Sequence, residues 1–297
     1  LAICCWFAMW AAPGKYSGKP EILAVWARLE LPMGLPSAVC AQQAQYGTWQ
    51  HRGMNSPASE QKTRAAAQAM VLAAGRGERM RPLTDELPKP LLTINNKSLL
   101  AWHLEALSAA GIQDVVINHA WLGKKIEEAL GNGSQFGLNI SYSPETSALE
   151  TAGGIRKALP LLNPSDYFLV INGDIFSPNL PIQQLLNRVS DLRSMPSRPL
   201  AHLLMVPNPV QHPEGDFYIR DSQVANEPLD GAEKLTFSGI GLYHRDLFKD
   251  VELDVPAKLA PLLREAMADN RVSGEKYPGP WHDVGTPQRL QELNVAN

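Results

Sequence analysis

Between Val71 and Leu91 the chain reads V-L-A-A-G-R-G-E-R-M-R-P-L-T-D-E-L-P-K-P-L. The apolar run Ala69–Ala74 ends at Gly75 and Gly77, and Arg79, Arg81 and Lys89 follow with few acids between them. A strand that opens into bare backbone lets a phosphate chain come close, and permanent cations at its rim neutralise that chain. The loop therefore reads as a triphosphate site serving phosphoryl or nucleotidyl transfer. A dinucleotide fingerprint would need a third glycine where Met80 stands, and a P-loop would need its lysine beside the glycines. Neither alternative fits.

Two carboxylates complete the chemistry. Asp174 follows the apolar run Tyr167–Ile171 directly, and Asp283 sits in Trp281-His282-Asp283-Val284-Gly285-Thr286. Aspartates from distant segments suit one magnesium ion, which prefers hard oxygens and takes its remaining ligands from substrate phosphates and water.

These residues need a scaffold, and the alternation of strand and helix from Ala69 onward supplies one. Ser98 can cap a helix carrying Leu100, Leu104 and Leu107 on one face, with Gly111 as its stop. Asp114–Asn118 reads as a buried strand, 121–130 as a helix and 138–143 as a strand. Thr151 is placed as the cap of a helix running toward Leu162. Helices near 182–189 and 259–267, strands over 200–206, 217–224 and 235–243, and a final helix after Thr286 close the pattern. Strands separated by helices predict a three-layer, Rossmann-like α/β fold with a mostly parallel central sheet. Ligands then lie beyond the carboxyl ends of its strands, where Gly75, Asn172 and Asp174 fall.

Composition bounds the class. The 297 residues are 44% apolar and 19% charged, with net charge −3, which leaves no basic footprint for nucleic acid. Residues 1–53 differ from the rest: they hold all three cysteines and four of the seven tryptophans, and they lack regular periodicity. Leu1–Ala12 is too short to span a bilayer and has no basic leader, so no membrane partner is expected. Residues 1–68 are expected to be a disordered or non-native extension, with Met54 as the natural start and a truncated export signal as the alternative. Residues 69–297 form the catalytic domain. No cysteine follows residue 53, so neither disulfides nor thiolate metal sites arise there, and a cytoplasmic enzyme is expected. Oligomeric state is not legible.

The strings L-A-A-G-R-G-E-R-M-R-P-L-T…P-K-P-L, L-E-T-A-G-G-I (Leu149–Ile155), N-G-D (Asn172–Asp174), F-S-G-I (Phe237–Ile240) and W-H-D-V-G-T-P-Q-R-L (Trp281–Leu290) resemble the sugar-1-phosphate nucleotidyltransferases. Within them the likeness is strongest to the single-domain bacterial uridylyltransferases acting on N-acetylmuramate α-1-phosphate, whose pattern Ile117–Gly123 and Lys258–Leu263 also resemble. The resemblance implies a GT-A-like fold, a nucleoside triphosphate and a sugar 1-phosphate as substrates, and Mg2+ on Asp174 and Asp283. It implies that Gly75 and Gly77 present backbone N–H groups to the nucleotide, that Arg79 grips the β- and γ-phosphates, and that Lys89 bridges the α-phosphate and the sugar phosphate. Ala73, Thr151 and Gly153 join the nucleotide contacts, and Asn172, Glu150, Gly239 and Lys258 the sugar contacts.

Two positions depart from the family pattern. Glu145 stands where relatives carry a base-reading glutamine, and a carboxylate there accepts hydrogen bonds without donating them. Glu150 replaces a glycine, either touching sugar hydroxyls or propping the helix start. Lys258 could pair a lactyl carboxylate, or it and Arg264 could be solvated helix cations. His119 and Trp121 are candidates for pocket lining or for core packing, and His282 has no ligand role. The reaction implied is UTP with N-acetylmuramic acid 1-phosphate giving UDP-N-acetylmuramic acid and pyrophosphate, in peptidoglycan recycling. The alternatives are another base with a mannose-, heptose- or glucose-type phosphate, or an inactive nucleotide-sugar-binding homologue.

Overall fold

The computed structural model describes residues 68–163 and 165–295. The expected extension thus lies outside the described residues apart from Gln68. That residue belongs to the domain: it opens the first strand, is buried, and its Oε1 accepts the Asn163 N–H.

Strand β1 (Gln68–Ala73) alternates, with Ala69, Val71 and Ala73 in one core and Met70 in another. Beyond the glycine loop come helix α1 (Leu83–Glu86) and the hairpin β2 (Thr93–Ile94) and β3 (Lys97–Ser98). That hairpin turns on Asn95 and Asn96, both at positive φ, as a two-residue turn requires. Helix α2 (Leu99–Ala109) starts at Ser98, whose Oγ accepts the Ala101 N–H at 3.1 Å, and stops before Gly111 at φ +79°. Then follow β4 (Asp114–His119), α3 (Gly123–Leu130), β5 (Asn139–Pro144), α4 (Glu150–Ala158), β6 (Tyr167–Asn172), β7 (Ile175–Phe176) and α5 (Ile182–Ser194). The C-terminal part holds β8 (Ala201–Val206), β9 (Phe217–Arg220), β10 (Gln223–Ala225), β11 (Glu233–His244), α6 (Leu259–Ala268), β12 (Val272–Lys276), β13 (His282–Asp283) and α7 (Pro287–Val295).

Nine strands form one sheet in the order β5-β4-β1-β6-β11-β8-β12-β10-β9. The run β5-β4-β1-β6 is parallel throughout. The expected mostly parallel sheet does not continue past β6. There β11 joins antiparallel, and β9 returns to pair with β11, closing a five-stranded ring with β8, β12 and β10. The stretch 217–224, expected as one strand, is instead broken at Asp221 and Ser222: both at positive φ, they make a tight β9–β10 hairpin, and a two-residue link can join only antiparallel strands. The sheet is therefore mixed.

Both faces are covered. Side chains of α2, α3 and α5 join the core that holds Val71, Leu169 and Ile171, while those of α4 and α6 join the core that holds Met70, Phe168 and Val170. Such alternation across buried strands gives the three-layer architecture. A third cluster packs Met80, Ile94 and Phe176 against Val284, Leu290 and Leu293. It ties the glycine loop to the C-terminal segment that carries Asp283.

Candidate active site

The carboxyl ends of β1, β4 and β6 lie on one edge of the sheet, and Gly75, Asn172 and Asp174 fall there. Gly173 makes the junction possible. A Cβ at that position would sit 2.6 Å from the Leu72 carbonyl oxygen, which instead accepts the Gly173 N–H at 2.8 Å. Asp174 is thereby held beside the end of β1. Strand β7 then pairs with β13, setting Asp283 opposite Ile175, and the Val284 N–H donates to the Asp174 carbonyl at 3.0 Å. The two aspartates, 109 residues apart in the chain, are brought to one place by this short pairing.

Each carboxylate faces a cation. Lys89 Nζ lies 2.6 Å from Asp174 Oδ2, and Arg289 donates to Asp283 Oδ2 at 2.8 Å. Sequence reasoning missed Arg289; its one signal is its place six residues after Asp283, on the first turns of α7. Among the described residues no three His, Cys, Asp or Glu side chains gather as a metal cage. Two carboxylate arms fit an ion that takes most of its ligands from phosphates and water, as magnesium does.

Three adjoining cavities share these residues. The largest, about 320 Å³, is lined by Ala73, Gly75, Asn118, Glu150, Thr151 and Asn172, together with Lys89 and Asp174. A second, about 230 Å³, lies under the glycine loop between Gly75, Gly77, Arg79, Lys89, Asp174 and Gly285. The third, also about 230 Å³, opens on the other side of Asp174 toward Asn172, Gly239, Trp281 and Asp283. Lys89 and Asp174 stand where the first two meet.

Within the loop the cations divide. Arg79 is exposed at the second cavity and makes no hydrogen bond or ion pair among the described residues, so its guanidinium is free for an anion. Arg81 lies instead on Asp85 at 2.8 Å and lines none of these cavities. Arg76, which the sequence did not single out, stacks on Trp121 at 3.8 Å and binds Asp85 and the Thr84 carbonyl. Its hydrogen bond, with help from Arg81, holds the Asp85 carboxyl below the usual range. Trp121 donates to the same Thr84 carbonyl at 2.9 Å, so Trp121 clamps the loop from outside. Gly77 needs its hydrogen: φ is +69°, and a Cβ would press on Thr84 and Lys89 at 3.1 and 3.2 Å.

The α4 entrance departs from expectation in several ways. The helix starts at Glu150 rather than being capped by Thr151, which lies inside it and lines the first cavity. Glu150 adopts φ +59°, the left-handed region that favours glycine, which accounts for the glycine expected there from the family pattern. Its side chain lines the first cavity, not the one around Gly239. Glu145 lines none of the three cavities. It is buried, accepting Asn118 Nδ2–H at 2.7 Å and the Leu149 N–H at 2.8 Å, while Asn118 Oδ1 accepts the Ala73 N–H at 3.0 Å. Glu145 thus braces the wall of the pocket through Asn118.

Gly153 packs against the backbone at Val255–Ala257: its N–H and that of Ala152 donate to the Ala257 carbonyl, and a Cβ there would meet the Val255 oxygen at 2.6 Å. Lys258 is exposed next to that contact and lines none of the three cavities. His119 is buried on Glu127 at 2.7 Å. Gly239, at φ +79° where the β11–β8 register shifts, leaves room for Asn172, whose Nδ2 would lie 2.6 Å from a Cβ. Behind the site His103 is buried beside Asp174 and Ile175, and burial pulls its pKa down to about 4.

The nucleotidyl transferase family pattern matches residues 68–211. The chain is 51% identical over 228 residues to the N-acetylmuramate alpha-1-phosphate uridylyltransferase of Neisseria meningitidis serogroup B, covering 76% of this chain and 96% of that protein. It is 32% identical to the enzyme of the same name from Caulobacter vibrioides, covering 74% and 92%. A solved structure described as a glucose-1-phosphate thymidylyltransferase from Bacillus anthracis shares the fold with a TM-score of 0.66 at 20% identity, covering 78% of this chain and 95% of that one. With this sequence likeness and a shared α/β nucleotidyltransferase fold, the chain belongs to the sugar-1-phosphate nucleotidyltransferases.

Proposed function

We propose that the enzyme condenses UTP with N-acetylmuramic acid α-1-phosphate, forming UDP-N-acetylmuramic acid and releasing pyrophosphate, as a cytoplasmic step in reuse of cell-wall sugar. The observation that carries this reading is the meeting of the cavities at Lys89 and Asp174, in a chain 51% identical to a relative named for that activity. The nucleotide occupies the cavities at Gly75 and Glu150, and the acceptor sugar the one at Gly239.

A sugar-phosphate oxygen attacks the α-phosphorus in line, a new P–O bond forms, and the bond to the β-phosphate oxygen breaks. The attacking phosphate is largely dianionic at neutral pH, so no general base is required. What remains is positioning and charge stabilisation. Gly75 and Gly77 offer backbone N–H groups, and Arg79, unpaired among the described residues, takes the β- and γ-phosphate charge that departs. Lys89 lines both nucleotide cavities and pairs with Asp174, which also lines the acceptor cavity. Asp174 and Asp283 would hold Mg2+, which neutralises phosphate charge when bound. Losing one such preorganised contact slows turnover by roughly a hundred- to a thousandfold.

The test is pyrophosphate release over a matrix of nucleoside triphosphates and sugar 1-phosphates. UTP with N-acetylmuramic acid 1-phosphate should give the highest kcat/KM. A preference for GTP with a mannose-type phosphate, or dTTP with glucose 1-phosphate, would replace this reading with another in the same family.

A further inference from the structure

The acceptor-side cavity poses an electrostatic problem. Its walls carry two carboxylates, Asp174 and Asp283, and an acceptor bearing both a phosphate and a lactyl carboxylate brings further negative charge. Lys89 serves the phosphate side and does not line this cavity, and Lys258 lies exposed at the α4–α6 junction. Among the residues lining the cavity, His212 alone can carry positive charge, and Gln211 beside it offers an amide donor.

The local structure fixes His212 at the cavity. His212 Nε2 lies 3.1 Å from Asp216 Oδ1, and Asp216 Oδ2 is fixed by the Phe237 N–H at 2.8 Å. A carboxylate on Nε2 keeps a proton on that nitrogen. Nδ1 makes no hydrogen bond among the described residues. The turn itself is pinned: the His212 N–H donates to the Pro209 carbonyl at 2.9 Å, and Asn208 Nδ2 donates to the Pro213 and Lys234 carbonyls. When an anion binds with the ring protonated, both nitrogens are N–H donors, and Nδ1, without a hydrogen bond among the described residues, is the one left to meet it.

We infer that His212, assisted by Gln211, binds the carboxylate of the acceptor and so selects an anionic sugar 1-phosphate over a neutral one. The inference rests on the reaction proposed above. It moves recognition of the lactyl group from Lys258 to the turn between β8 and β9.

Two acceptors that differ by the lactyl ether test it: N-acetylmuramic acid 1-phosphate and N-acetylglucosamine 1-phosphate, each assayed with UTP and magnesium. The wild-type enzyme should prefer the first. His212→Ala should lower the ratio of the two kcat/KM values by about ten- to a hundredfold, the weight of one charge-assisted hydrogen bond, mainly through the KM of the anionic acceptor. His212→Lys should restore part of that ratio. A merely structural role would lower both acceptors in parallel, and an unchanged ratio in His212→Ala would overturn the inference. If wild-type enzyme turns over only the neutral acceptor, the proposed reaction fails instead, and the inference with it.

Discussion

Replacing each partner of the Lys89–Asp174 pair should cost unequal amounts of stability, because the two are unequally buried. The side chain of Lys89 is 9% exposed, that of Asp174 34%, and their charged atoms are 2.6 Å apart. At an effective dielectric of about 20 the attraction at that distance is roughly 6 kcal/mol, and most of it is offset by the desolvation of the ammonium. Asp174→Asn strands that ammonium, and breaking a buried pair in this sense typically costs about 3 kcal/mol or more. Lys89→Met leaves a carboxylate that water already reaches, so its cost should be nearer 1 kcal/mol. The double variant should regain much of what Asp174→Asn loses. Urea denaturation with a chelator present, free of nucleotide, measures all three, while kcat measured with magnesium should fall by about a hundredfold or more in each. Equal losses, or a larger loss in Lys89→Met, would show that burial does not set the energetics of this pair.

Three further outcomes follow from neighbouring geometry. Gly154→Ala should destabilise the fold by about 1–3 kcal/mol and raise the KM for UTP. Its Cβ would lie 2.7 Å from Glu145 Oε1 and 2.8 Å from Asn118 Nδ2, which denaturation and steady-state kinetics check. Arg289→Ala should raise the magnesium concentration for half-maximal activity by about ten- to a hundredfold; an unchanged requirement would separate Asp283 from the ion. His202 is buried against Ser273, and burial pulls its pKa from 6.5 down to about 4. Between those values the unfolded chain binds a proton that the fold refuses, so this contribution is complete above pH 6.5 and is lost on acidification toward pH 4. The loss amounts to about 3 kcal/mol, and His202→Asn should flatten that part of a stability–pH profile.

The parts of this enzyme legible in sequence are those set by local chemistry. Tyr167–Ile171 reads as a central strand because every position is apolar, and both of its faces are covered. The glycine loop, Asp174 and Asp283 stand out because few other structures need those residues in that order. Features set by distant partners stay hidden. Nothing local in Glu233–His244 says that it pairs with β6 and β8 and also with β9, so the closed ring and its antiparallel joins escape notice. Arg81 and Arg79 look alike until Asp85 claims one of them. Glu145 reads as a ligand-facing carboxylate until Asn118 and Leu149 occupy both its oxygens. Arg289 looks like an ordinary helix cation until β13 turns Asp283 toward it.

A crystal structure with a non-hydrolysable UTP analogue and magnesium tests the central claim most directly. The account predicts one ion between Asp174 and Asp283, the β- and γ-phosphates against Gly75, Gly77 and Arg79, and the base beside Glu150 and Thr151. A nucleotide seated in the cavity at Gly239, or an ion bound without either aspartate, would contradict it.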